Sequence, residues 1–354
     1  MLRDDVANHV LPRLIIPPAK KGSDAQLELI SDRGMLSINR LLGASWAHRL
    51  ALIDPTFILE QFGRDRLATW LAPAITSAGK TGFPVVPCFR LQDVYGDVAS
   101  GFLKCVEASL GFFAISVSLS EAIDITKLMR FRDWIESEGF DCRKCILVAN
   151  FCDADFSEPE VVAPVLDGAI ESLMDVAPWQ RVIFQGSNYP EKKIPAGASS
   201  SVLVSRGEWL SFSDCEVIRK DYGARVLFGD YGADHGKIDF GGGGRARPYL
   251  RYALDDAWII VRGSDEGRWA IEMKKVASQI VKLGGFSGPG FSEADQRIAQ
   301  IASGAIAPGS PSHWRALNMC RHITKVVSDI GSSEGFSIAR KEVEEPAEQI
   351  SMDV

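Results

Sequence analysis

With 354 residues, 46% of them hydrophobic and 24% charged, the chain has the composition of an ordinary globular protein, which excludes fibrous, collagen-like and wholly disordered architectures. A net charge of −7, from 39 basic against 46 acidic residues, argues against a sequence-independent grip on nucleic-acid phosphates. The length admits two domains or one α/β barrel.

Short apolar runs carry the fold signal, because buried parallel strands read as near-continuous β-branched and aliphatic segments. In chain order they are Arg13 to Ile16, Arg49 to Asp54, Pro84 to Phe89, Phe112 to Ser118, Cys145 to Phe151, Arg181 to Ser187, Arg225 to Tyr231 and Trp258 to Gly263. Successive runs begin 28 to 44 residues apart, enough for a strand, a helix and two loops. Between them lie a weakly amphipathic stretch at 25–36 and clearer helical spacing at 57–76, 123–135 and 161–173, the first of these with Ile58, Phe62, Leu67, Leu71 and Ile75 on one face. Strands alternating with helices predict an α/β fold with a parallel sheet. Eight such units predict closure into a TIM-like (β/α)8 barrel, which leaves no exposed sheet edge; an open doubly wound sheet is the alternative.

After the eighth run the pattern changes. A final barrel helix is expected from Arg268 to Leu283, then a loop at 284–290, then a helix N-capped by Ser292 and running through Ser303, with Glu293 and Asp295 in its first turn. A further helix is expected from Ser312 to Ile330. The division is therefore a barrel over 1–283, a helical extension over 284–330 packed on it, and an acidic, disordered tail over 331–354. Seven cysteines, an odd and sparse set, suit a reducing compartment; with no secretory apolar run and no stretch of about 18 apolar residues, the expectation is a cytoplasmic protein without a membrane span.

Reacting groups in such a barrel sit at the carboxyl ends of its strands, where the following loops converge on one mouth. That rule picks out Asp54, Arg90, Ser118, Asn150, Asp153, Gln185, Ser187, Asp230, Tyr231, His235, Arg262 and Ser264. The seventh strand end, FGDYGADH over 228–235, is the richest: Asp230, Tyr231 and His235 offer an acid, a phenol and an imidazole for acid–base chemistry, while the same residues also read as a turn built on Gly232 and capped by Asp230. Four glycines at 241–244 with Arg245, Arg247 and Arg251 suggest an anion-binding loop or a plain mobile loop, and the spacing fits no nucleotide fingerprint. Arg262, if it points inward from the eighth strand, is a fork for carboxylate or phosphate.

Other signals are weaker. Cys142 and Cys145 form a C-x-x-C, but a zinc site needs four ligands and a redox pair would open a helix, so buried thiols are expected and no metal site is assigned. There is no H-E-x-x-H and no G-x-S-x-G. Asp54, Asp153 and Asp230 are available as paired carboxylates of the kind glycoside cleavage uses. On the last helix, Trp314, Arg315, His322 and Lys325 are packing and solvated charge unless that helix closes over the mouth.

Several segments together, FGDYGADH, RGEW at 206–209, RYALDDAWIIVRG at 251–263, FSGPGFSEADQRI at 286–298 and HWRALNMCRHITKVV at 313–327, resemble the beta protein family of phages and bacteria. The resemblance runs from about Arg49 to Ile330 and is most specific after Arg206. Arg206, Glu208, Gly229, Asp230, Tyr231, Arg262, Trp314 and Arg315 match the family's recognisable positions. It implies a phage-related or defence-associated cytoplasmic protein and names neither a reaction nor a cofactor.

The leading expectation is a barrel-mouth site that binds an anionic small molecule or nucleotide-like ligand, with hydrolysis as the reaction in view. Asp230 or His235 is the general base, Tyr231 a further catalytic group, and Arg262, Arg251, Asp54, Gln185 and Arg315 contact the ligand. The competing expectation is a catalytically silent barrel that binds a protein partner through its C-terminal helices and tail. A structural phage protein is a third.

Overall fold

The computed structural model describes residues 2–18, 38, 42–43, 46–63, 67–189, 195–215, 222, 225–236 and 246–338. Its first sheet is parallel throughout and holds seven strands: β1 (Arg13–Ile15), β2 (Ala51–Asp54), β3 (Val85–Arg90), β4 (Phe113–Ser118), β5 (Cys145–Asn150), β6 (Arg181–Gln185) and β8 (Val226–Gly229), in the order β1-β2-β3-β4-β5-β6-β8. Each corresponds to one of the first seven apolar runs.

Alternation along these strands divides them between two faces. Ile53, Val85, Phe113, Ile115, Leu147 and Phe184 join the helices in one large core. Leu52, Val86, Cys88, Ala114, Ile146 and Val148 form a separate cluster without any helical residue, which is the inner wall of a curled sheet. The curl is required by one contact: Arg13 on β1 donates to the Gln185 Oε1 on β6 at 2.8 Å. In a flat sheet those strands would stand about 24 Å apart, beyond the reach of two side chains. The result is an α/β half-barrel.

The outer helices follow the expected order with local corrections. The stretch 57–76 is broken into α2 (Thr56–Phe62), a π-helical turn at Leu67–Leu71 and α3 (Ala72–Lys80), after a short α1 (Asp4–Ala7) at the start of the chain. The break follows Gly63, whose φ of +93° ends α2. Next come α4 (Ala99–Ala108), α5 (Leu119–Ile123), α6 (Thr126–Ser137) and α7 (Pro159–Val176). The expected first helix at 25–36 and the glycine run 241–244 lie outside the described residues.

The largest correction concerns barrel closure. The eighth apolar run is β10 (Ala257–Arg262), and it does not join the parallel sheet: it pairs antiparallel with β7 (Ser200–Ser205) and β9 (Tyr249–Ala253), in the order β7-β10-β9. Two short strands thus escaped the periodic reading. A strand paired on both sides and packed on both faces is as apolar as a barrel strand, so its composition says nothing of direction.

One face of this small sheet, with Leu250, Tyr252, Ile259 and Val261, is covered by α9 (Trp269–Val281), α10 (Glu293–Ser303) and α11 (Pro311–Glu334). The helix expected to complete the barrel therefore belongs to a second layer. Ser292 caps α10 as its sequence suggested, accepting from the Asp295 N–H at 3.0 Å. The expected tail begins later than 331, since α11 continues to Glu334; residues 339–354 lie outside the described set.

The other face of the small sheet, with Trp258, Ile260, Val202 and Val204, packs on Tyr189 and Ala233. Those two residues belong to the loops that follow β6 and β8. The antiparallel sheet thereby sits against the carboxyl rim of the half-barrel on the β6–β8 side.

Candidate functional site

Two polar clusters meet at this rim. The first is on the inner wall. Arg13 donates through Nε and Nη2 to Asp54 Oδ2, at 3.0 and 2.6 Å, and through Nη1 to Gln185. The register sets Ile15 beside Asp54 and Gln185 beside Gly229, so the strand ends on which Asp54 and Gln185 stand are joined by one guanidinium. Burial works against the Arg13 charge, but the fields of Cys88, Asp54 and Tyr231 outweigh it and raise its pKa. Burial pushes the Cys88 and Cys152 thiols up to about 12. Tyr231 is raised as well, by burial and by Cys152, to which it is hydrogen-bonded. Tyr231 therefore serves as a neutral hydroxyl in this cluster.

The second cluster begins one residue earlier. Asp230 uses its two oxygens differently: Oδ1 accepts from the Gly232 N–H at 2.7 Å, and Oδ2 meets His322 Nε2 at 2.5 Å. Gly232 has a φ of +64°, as the turn reading required. The turn reading of Asp230 is thus satisfied by one oxygen, and the other is held by His322. His322 comes from α11 and is 1% exposed, with its ring stacked on Trp258 at 4.4 Å between centroids.

Glu208 completes this group. It lies near the start of α8 (Gly207–Asp214), 3% exposed, and accepts from the Asn188 N–H at 3.0 Å. Burial pushes its carboxyl up to about 7, the Asp230 charge adds to that rise, and the Asn188 N–H and Arg206 oppose it. A carboxyl near neutrality beside a carboxylate that holds an imidazole is an arrangement able to give and take protons at physiological pH. The Asp230 side chain, 15% exposed, is its most accessible member.

The RGEW segment shows how the sequence builds this. Arg206 is fully buried and donates to the carbonyls of Leu254 and Asp255 and to Asp329 of α11 at 2.8 Å. Gly207 allows a close approach, because a Cβ there would lie 1.8 Å from the Phe156 carbonyl oxygen. Lys325 adds an ion pair to Asp255 at 2.6 Å and another to Asp329. These contacts fix α11 on the small sheet and so place His322 over Asp230.

The other expected site residues fall as follows. His235 lies in the same loop, beside the exposed Asp234, with no described contact to Asp230. Arg251 stacks over Tyr189 at 3.8 Å, donates to the Ala233 carbonyl and sits 3.6 Å from Asp234, so it braces the loop. Arg262 is not on a barrel strand: on β10 it donates to the Ala196 carbonyl at 3.0 Å and pairs with Asp265, which removes the geometric premise of an anion fork at the mouth. Arg315 is exposed on α11. Asn150 and Ser118 cap local turns, Arg90 pairs with Asp93 and Glu60, and Asp153 is exposed. Cys142 and Cys145 are buried free thiols, and among the described residues no group of acids, histidines and cysteines has the form of a metal site. No described helix is long and apolar enough to cross a membrane.

Strand-end reasoning missed Arg13, Glu208, His322 and Trp258 as site residues. Arg13 opens a strand rather than ending one, and Glu208 sits on a helix outside the strand pattern. His322 is 92 residues from its partner. Two signals were available: His322 lies on a last helix that reaches the site if it closes over the mouth, and Glu208 stands in the RGEW segment.

The chain belongs to the Beta protein family, whose model matches residues 1–328. Comparison with curated proteins and with solved structures finds no match.

Proposed function

Proceeding from that membership, we propose that the protein binds a small polar ligand at the β6–β8 side of the half-barrel rim and performs acid–base chemistry on it. Asp230 is the group that meets the ligand, His322 its proton partner and Glu208 the neighbouring acid. The observation that carries this reading is the Asp230 carboxyl group held 2.5 Å from the buried His322 Nε2; the buried Glu208, whose carboxyl is pushed up by burial and by the Asp230 charge, supports it. Tyr231, one residue on, supplies a neutral hydroxyl at the edge of the same site. The earlier expectation of an anionic or nucleotide-like ligand is narrowed, because Arg13, Arg90, Arg251 and Arg262 each face a carboxylate of the chain itself.

The protein-partner alternative has less support. The helix it would use turns Trp314, Asn318, Arg321, His322 and Lys325 inward. The cellular setting we propose is the one the family resemblance implies: phage-related or defence-associated, in the cytoplasm.

The test is native mass spectrometry of the purified protein for a copurifying small molecule, beside Asp230→Asn and His322→Gln, with phage plating on cells expressing each form. The expected result is a retained small molecule that both substitutions release or leave chemically unconverted, with protection lost in both. A folded Asp230→Asn protein with unchanged ligand and unchanged protection overturns the reading.

A further inference from the structure

The small antiparallel sheet has two edges, and the molecule treats them differently. On β9, alternation places the backbone groups of Arg251 and Ala253 on the outer side, since Leu254 bonds to Ala257 of β10 at 2.7 Å. One group of each is met by α11: Asn318 Oδ1 accepts from the Arg251 N–H at 3.2 Å, and Arg321 Nη2 donates to the Ala253 carbonyl at 2.9 Å. A helix packs along this edge.

On β7 the same alternation, set by the Arg206 N–H donating to the Asp256 carbonyl at 2.8 Å, turns the backbone of Ser201, Leu203 and Ser205 outward. Asn188 Nδ2 covers the Ser205 carbonyl at 3.0 Å. Among the described residues, nothing meets the outward N–H and C=O of Ser201 and Leu203, and no strand pairs with this edge. The strand reads SSVLVS, so it carries neither the charge nor the proline that often keeps an edge from pairing. Leu203 at its middle is 62% exposed.

The sequence of that edge is also self-complementary. Residues 201–205 read S-V-L-V-S, the same in both directions about Leu203. An antiparallel copy related by a twofold axis at Leu203 would set Leu203 opposite Leu203, exchanging both backbone bonds, with valine opposite valine and serine opposite serine. A twofold contact must be self-complementary in this way. We propose that the protein forms a homodimer through β7, joining two three-stranded sheets into one of six strands with the order β9-β10-β7-β7-β10-β9. The pairing lies outside the acid–base site and does not depend on it.

The full-length chain, examined by light scattering and sedimentation at rising concentration, should show a species of twice 38.7 kDa. Leu203→Pro deletes an N–H that faces away from β10, and Leu203→Lys opposes two like charges without changing the backbone; each should shift the equilibrium to monomer at least tenfold. Leu203→Cys adds a positive readout, because directly bonded antiparallel residues have Cα atoms about 5.5 Å apart, within disulfide reach. Mild oxidation should give a covalent dimer, which the unsubstituted protein, with six of its seven cysteines buried, should not. A monomer at every concentration overturns the proposal. So does a dimer that survives both Leu203→Pro and Leu203→Lys, or a β7 edge that takes up only another protein's strand.

Discussion

Two buried arginine–aspartate pairs each tie separate strands or helices together. Arg13 and Asp54 are 41 residues apart and stand on neighbouring strands of one sheet, while Arg206 and Asp329 are 123 residues apart and join the small sheet to α11. The first closes a polar layer over an apolar wall, with Gln185 as its third member. The second clamps a helix, and that helix delivers the imidazole facing Asp230. The difference teaches that the half-barrel supplies strand ends already in place, whereas the acid–base group exists only while a distant element stays docked.

The sharpest way to break this comparison is to remove each arginine. Arg13→Ala leaves the Asp54 carboxylate, whose side chain is 3% exposed, without the guanidinium that pairs with it, and should cost about 3 to 5 kcal/mol by denaturant unfolding with the Trp258 signal unchanged. Arg206→Ala should cost less, about 2 kcal/mol, since Asp329 is 13% exposed and keeps Lys325 as a partner. It should, however, abolish the ring stacking of His322 on Trp258, read in the near-ultraviolet circular dichroism. Equal losses and equal spectra would erase the distinction.

Glu208 tests the same side of the rim through pH. Its carboxyl lies above the ordinary 4.5, so its stabilising contribution is complete below about 4.5 and is lost as pH rises through about 7. That window corresponds to on the order of 3 kcal/mol. Glu208→Gln should flatten the fall in unfolding free energy between those limits, and a slope that persists would place its origin elsewhere.

Gly207→Ala asks whether Glu208 depends on close packing behind it. A Cβ at this position must displace the Phe156 backbone, at a cost of about 2 kcal/mol in thermal unfolding. The smallest effect belongs to Arg315→Ala on the exposed face of α11, within about 0.5 kcal/mol. Set beside His322 on the same helix, it separates the face that works from the face that is solvated.

Much of this could be read in advance. The strands from Arg13 to Tyr231 were legible because each crosses the core between two apolar layers, which leaves an unbroken aliphatic run. Asp54, Gln185, Asp230 and Tyr231 were legible because a polar residue ending such a run faces the rim. Arg262 was misplaced for the same reason that β10 was misread: a doubly covered central strand looks alike in a parallel and an antiparallel sheet. Glu208 stood in the family-matching RGEW segment, but nothing local to it signals a neighbouring carboxylate.

The sequence by itself determined the alternation of strands and helices, the parallel direction of the first seven strands, and the polar residues at their ends, because these follow from local periodicity and the handed βα crossover. Only the tertiary structure decided that the eighth run leaves the barrel, that Arg13 spans it from β1 to β6, and that His322 lands on Asp230. Those three facts depend on which distant surfaces bury one another, and burial between separate elements leaves no mark on the spacing of residues within either.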